Sequence, residues 1–346
     1  MMIKYLGPHR SFSSAVSSIS LCILLAGFTP AAGDQGPLDE EGHLANTGAS
    51  RKSKEDREIE ELLKGRFVEK ASVDLVMVPA VVADRKGRPV LNLGPEDFVL
   101  YEEGARQRIE YFARDLSRPV SIAFVLDVSG SMRMSGKIGT AKQAVRYFLS
   151  SLRSFDEAAL IAFADRQVAV LTDFTRNRTE TLKYLSAVKA YGQTALNDAI
   201  AGVPGMVNRQ RQGRKAIVLL TDGVDNYSTL SLGKAMASAR SVDVPFYCIG
   251  FADESRELTG DKKLQTDAEN VLRQVSDETG GAFFLIHDSN DMKEAVSQIQ
   301  EDLRNQYVLG YTPPSSSRNG KFRRIALVAN NGRYNVRTRK GYVLAP

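Results

Sequence analysis

The sequence predicts an α/β chain: a doubly wound, mostly parallel sheet inserted in a small β-sandwich-like domain that both flanks build together. Three observations carry this. Between residues 117 and 304, strand-like runs alternate with amphipathic stretches, and the runs are apolar at nearly every position. Strands read that way when helices cover both faces of their sheet. Shorter segments of alternating polarity lie on either side, at 70–116 and 305–346. Isolated hairpins are marginal in water, so two flanks this short must pair to bury a core.

The elements follow in chain order. Lys4 and Arg10 precede an apolar stretch from Ala15 to Phe28, and "TPAAG" follows. That is the order of a secretory signal peptide, expected here over 1–33. The apolar run is short beside the ~20 residues a membrane helix needs. An uncleaved anchor, with membrane contact through it alone, is the alternative. Cys22 lies inside this run behind Leu21, which leaves Cys248 as the one cysteine of the mature chain. A single thiol makes no intrachain disulfide, so stability must come from the core. "VPFYCIGF" surrounds Cys248 with apolar residues, which predicts an inert buried thiol.

Residues 34–69 are polar and without period, and read as a linker. From 70 to 116 come the valine-rich "ASVDLVMVPAVVAD", the turn "DRKGRP", and two short alternating runs around Gly104. Val73, Leu75 and Met77 are expected to form the apolar face of the first strand. The α/β series runs from "VSIAFVLDV" through the strands "EAALIAFA", "KAIVLLTDG" and "VPFYCIGFA" to the helical "MKEAVSQIQEDLRNQ". In the tail, Tyr307, Leu309 and Tyr311 alternate as an apolar face. Tyr334, Val336 and Thr338 alternate with Asn335, Arg337 and Arg339, which predicts one packed and one wet, basic face. The formal charge of +5 falls to about +3 once Lys4 and Arg10 are set aside, too little to suggest nucleic acid.

Ligands of open α/β sheets sit beyond the carboxyl ends of the strands. Three segments bring oxygen-bearing side chains to that edge. The strand "SIAFVLDVSGSM" ends in Asp127, Ser129 and Ser131, "YGQTALNDAI" offers Thr194, and "AIVLLTDG" ends in Asp222. Each alone has an ordinary reading, such as Thr194 capping the helix it precedes. Together they are five hard oxygen ligands at one sheet edge.

In these residues the chain resembles von Willebrand factor type A domains. Their metal-ion-dependent adhesion site is written Asp-x-Ser-x-Ser, then a threonine and an aspartate in two further loops. All five positions are filled, and the order of strands and helices agrees over about 185 residues. The flanks "EDFVLYEEG" and "YVLGYTP" are similar to those of bacterial VWFA-related proteins. The resemblance implies that Ser129 and Ser131 bind Mg²⁺ (or Mn²⁺) directly, that Asp127 and Asp222 hold it mostly through waters, and that Thr194 does either. Mg²⁺ wants about six oxygens and dehydrates reluctantly. With few direct anionic ligands it stays electrophilic, open to an Asp or Glu carboxylate of a partner protein. Asp225 and Asn226 are expected to be solvated loop residues, with support of the site or a place at its rim as the alternative.

Other chemistries lack their parts. "GSMRMSGKI" has five residues, not four, between Gly130 and Gly136, and Ile138 where a phosphate loop needs Ser or Thr. His43 and His287 are the only histidines beyond the leader, and neither HExxH nor GxSxG occurs. The expectation is an exported, periplasmic or secreted metal-dependent binding module and not an enzyme. An envelope scaffold whose metal is only structural is the competing reading.

Overall fold

The computed structural model describes residues 2–5, 75–114, 118–208, 213–252, 262–314 and 319–344. The linker expected at 34–69 lies outside the described residues, as does the leader apart from Met2–Tyr5. Those four residues form a short strand (β1). No helix among the described residues is long and apolar enough to cross a membrane.

The N-terminal flank supplies Val76–Ala83 (β2), Phe98–Glu102 (β3), Ala105–Gln107 (β4) and Tyr111–Ala113 (β5). The middle of the chain supplies Val120–Asp127 (β6), Glu157–Ala164 (β7), Gln167–Thr175 (β8), Arg214–Thr221 (β9), Phe246–Phe251 (β10) and Phe283–Ile286 (β11). Tyr307–Tyr311 (β12), Phe322–Ala329 (β13), Asn335–Thr338 (β14) and Gly341–Val343 (β15) complete the set. One sheet has the order β1-β8-β7-β6-β9-β10-β11 and is parallel except where β8 turns back on β7.

The continuous apolar runs of this sheet are explained by two cores, one on each face. β6 is buried at every position. Its Ile122, Phe124 and Leu126 meet one core, and Ala123 and Val125 the other. On the first face lie Lys137–Ser151 (α1), Arg178–Ala187 (α2) and, packed on α1, Ser289–Arg304 (α6). Phe124 and Phe148 meet there with ring centroids 5.3 Å apart. The second face is covered by Leu196–Asn208 (α3), Leu232–Arg240 (α4) and Lys262–Thr279 (α5). Each fully buried large apolar side chain contributes about 1.5–3 kcal/mol, so the two cores dominate the stability of the unit.

Cys248 lies within β10 and is fully buried. Burial pushes its thiol up to about 12, so almost no thiolate exists at pH 8. Native protein is therefore expected to resist iodoacetamide at pH 8 and to label fully after unfolding. Stoichiometric labelling of the native chain would contradict that placement.

The flanks interleave in two antiparallel four-stranded sheets, β14-β2-β12-β5 and β15-β13-β3-β4. Each takes two strands from before the α/β unit and two from after it. Tyr307, Leu309 and Tyr311 point into the shared core, as their alternation predicts. The first strand differs. Val76, Val78, Ala80 and Val82 face that core, whereas Leu75 and Met77 are half-buried, and Val73 lies outside the described residues. Both faces of this strand are apolar, so alternation alone could not choose between them. A buried carboxylate stitches the sandwich: Glu102 accepts hydrogen bonds from Tyr311 Oη at 2.8 Å, Tyr342 Oη at 3.0 Å and Arg323 Nε at 2.8 Å.

The basic face of β14 is only partly wet: Asn335 is exposed, but Arg337 and, just beyond the strand, Arg339 are engaged by protein groups. Arg337 Nη2 donates to Asp302 Oδ2 at 2.6 Å, and Asp302, in the last turn of α6, is 1% exposed. Arg339 Nη2 donates to the Met77 carbonyl at 2.6 Å, and its Nη1 lies 3.5 Å from Asp243 Oδ1. Strand alternation separates two faces but does not say that the polar one meets water. Here Arg337 and Arg339 meet the α/β unit. Arg214, at the start of β9, strengthens the same junction by donating to the carbonyls of Leu303, Arg304 and Gln306 beyond and within the end of α6.

Candidate metal-ion site at the sheet edge

β6 and β9 are parallel neighbours, so their carboxyl ends fall side by side. Asp127 closes β6, and Asp222 follows directly on β9. Both are buried, at 0% and 6% exposure. Beyond Asp127 the chain turns into a 3₁₀ segment, Gly130–Gly136. The turn is fixed by the Ser129 amide, which donates to Asp127 Oδ1 at 2.8 Å. This brings the Ser129 and Ser131 hydroxyl oxygens within 3.1 Å of each other.

The Thr194 loop is held from both sides. Gly130 N–H donates to the Gly192 carbonyl at 2.9 Å, tying it to the first loop. Gly192 adopts φ +74°, and a Cβ there would lie 2.5 Å from Asp165 Oδ2, so the close approach of the β7–β8 turn requires glycine. On the other side, the Thr194 amide donates to Asn226 Oδ1 at 2.9 Å, and its carbonyl accepts from the Asn226 and Tyr227 amides. Asp225 Oδ2 accepts from the Asn197 amide at 2.8 Å in the first turn of α3. Asn226 is exposed, as expected, and Asp225 is half-buried, yet both also clamp the loops together. Helix capping, the ordinary reading for Thr194, falls to Asp225 and to Ser228, whose Oγ receives the Asp198 amide at 3.2 Å. Thr194 is 2% exposed.

The structure therefore gathers all five residues, Asp127, Ser129, Ser131, Thr194 and Asp222, at one edge. Two further residues that the sequence reading passes over complete the cluster. Thr221 Oγ1 donates to Asp127 Oδ2 at 2.6 Å and accepts from the Gly223 amide at 3.0 Å. Its only signal was position, a polar residue ending a buried strand beside an aspartate. Lys137 Nζ donates to Asp222 Oδ2 at 3.1 Å, and these side chains are 2% and 0% exposed. The two lie far apart in sequence, and no local pattern marks the contact.

Burial pushes the Asp127 carboxyl up to about 6, against hydrogen bonds from Thr221 and Ser129, and the charge of Asp222 adds to the rise. The cluster thus sets two carboxylates and one ammonium in a dry place. No group of three or more His, Cys, Asp or Glu among the described residues is placed to hold a metal ion. A site here must draw on hydroxyls as well as carboxylates. Two carboxylates and three hydroxyls with no soft donor are chemistry that fits a hard divalent cation such as Mg²⁺ or Mn²⁺.

Residues 122–224, which run from within β6 to just past Asp222, match the family model of the von Willebrand factor type A domain. The chain is 26% identical over 213 residues to inter-alpha-trypsin inhibitor heavy chain H4 of Bos taurus, across 57% of this chain and 22% of that one. It is 25% identical over 205 residues to a protein of Borreliella burgdorferi, across 54% of this chain and 59% of that protein. The match thus spans about a fifth of the heavy chain and somewhat over half of the Borreliella protein. Among solved structures, a von Willebrand factor type A protein from Catenulispora acidiphila aligns with a TM-score of 0.45 and 15% identity, over 79% of this chain and 74% of that one. BatB from Bacteroides thetaiotaomicron aligns at 0.43 and 20%, over 53% and 98%. Its strand order and two-faced helix layers, with the match over residues 122–224, give the α/β unit of this chain the fold of a von Willebrand factor type A domain.

Proposed function

We propose that the chain is an exported, metal-dependent protein-binding module of the periplasm or cell envelope, not an enzyme. Asp127, Ser129, Ser131, Thr194 and Asp222 would hold Mg²⁺ or Mn²⁺. When bound, such an ion supplies a Lewis-acidic position for an Asp or Glu carboxylate of a partner protein. The observation that carries this reading is the gathering of two buried carboxylates with the Ser129 and Ser131 hydroxyls, 3.1 Å apart, at the edge where three loops meet. Neutral hydroxyls neutralise less of a cation's charge than carboxylates would, which favours an incoming anion over a closed structural site. The loops are prearranged by Gly130, Asn226 and Asp225, so binding needs little loop ordering.

Thr194→Ala separates binding from folding. Its hydroxyl adds little to the core, so metal-free stability should change by about 1 kcal/mol or less. Capture of a partner from envelope extract should need Mg²⁺, disappear with EDTA and weaken at least tenfold in Thr194→Ala. In the captured partner, changing the contact Asp or Glu to its amide should have the same effect. A partner whose affinity ignores both chelator and Thr194 would overturn the adhesion mechanism. Metal-dependent folding without any metal-dependent partner would favour the envelope scaffold.

A further inference from the structure

Lys137 stands at the first position of α1, directly after Ser135 and Gly136, which take φ +52° and +70°. These two left-handed residues turn the chain so that the lysine begins the helix beneath the sheet edge. Two costs attach to that placement. A positive charge in the first turn opposes the helix dipole, and no acidic residue shares that turn. A buried ammonium loses its hydration, which is tolerable only beside a counter-charge. Asp222 Oδ2 supplies a counter-charge at 3.1 Å, with both side chains almost wholly inaccessible. A lysine held against a residue of the proposed metal site is a cation already present where a second cation is meant to bind.

We infer that Lys137 is a built-in counter-cation of the sheet-edge site, competing with the divalent ion for Asp222 and setting a deliberately loose metal affinity. This rests on the metal-binding reading above. With both carboxylates ionised, Asp127 and Asp222 carry two negative charges, which a divalent ion alone would cancel. Lys137 leaves one positive charge in excess, in surroundings where charge is poorly screened. The same excess weakens the hold on the metal and leaves a charge that one carboxylate neutralises. Removing the lysine charge should therefore tighten metal binding, although the substituted residue is not a metal ligand.

The test is titration of the full chain with Mn²⁺ alone at pH 8, followed calorimetrically and by the paramagnetic signal of free Mn²⁺. Lys137→Met is expected to bind Mn²⁺ at least tenfold more tightly than the native chain. Lys137→Arg, which keeps the charge, should stay within about threefold of it. Lys137→Gln retains a donor for Asp222 and carries the same expectation as the methionine if that variant does not fold. Equal or weaker Mn²⁺ affinity in folded Lys137→Met or Lys137→Gln overturns the inference while leaving the metal site standing. A native chain that binds no Mn²⁺ at all sinks the metal site and this inference with it.

Discussion

With the proposed metal site in place, Mg²⁺ should raise the thermal stability of the native protein and Asp127→Ala should abolish that rise. A ligand that binds only the folded state adds about 2.7 kcal/mol at a hundredfold excess over its dissociation constant, so the lost increment is easily read from melting curves. The metal-free effect is a balance. Removing a buried carboxylate relieves its desolvation and its repulsion with Asp222. It also strands the Thr221 hydroxyl and the Ser129 amide, which both donate to Asp127. Each stranded donor costs about 1–3 kcal/mol. Asp127→Asn keeps an acceptor for these donors, so it should lose the metal response with less damage to the fold. An undiminished response to Mg²⁺ in both variants would place the ion elsewhere.

A chain ending at Arg304 should lose the sandwich outright. β12 lies between β2 and β5, and β13 between β15 and β3, so this cut takes inner strands from both sheets. The face of Val76, Val78, Ala80 and Val82, with Phe98 and Leu100, would lose its cover. At about 1.5–3 kcal/mol for each large buried side chain, the loss exceeds the net stability of a small domain. Residues 76–113 should then be digested at least tenfold faster than in the intact chain, or the product should aggregate. Residues 118–304 alone should stay soluble and respond to Mg²⁺, but at lower stability, because Asp302 is deprived of Arg337. Continued protection of 76–113 in the shortened chain would mean that the flanks fold independently.

What was legible in the sequence was whatever depends on local pattern. The continuous apolar runs forced helices onto both faces of the central sheet, and the short flanks forced each other's company. The gathering of the five residues of the proposed site at one edge was legible because each sits at a strand end or loop beside a recognisable apolar run. Lys137 was not, since its significance lies in a contact with a residue from a different loop. Nor was the pairing of Arg337 with Asp302 and of Arg339 with Asp243, because alternation tells which side chains share a face and not what lies opposite. The first strand shows the same limit from the other side: Leu75, Val76, Met77 and Val78 are all apolar, and only packing against β13 and β3 selected Val76 and Val78.

The insertion has a mechanical consequence. Ala113 and Val308 are register partners in adjacent antiparallel strands, so the chain leaves the sandwich and returns to it at neighbouring points. β6 begins beside Arg214, which grips the carbonyls where α6 gives way to β12, and the oxygen cluster lies at the other end of β6. Tension applied at the cluster therefore runs down the sheet and reaches two tethers side by side. Neither bears the load alone, and β12 passes its share to the five-residue ladder it forms with β2. A partner pulling on this protein would strain a doubled attachment instead of unravelling a single strand from its end.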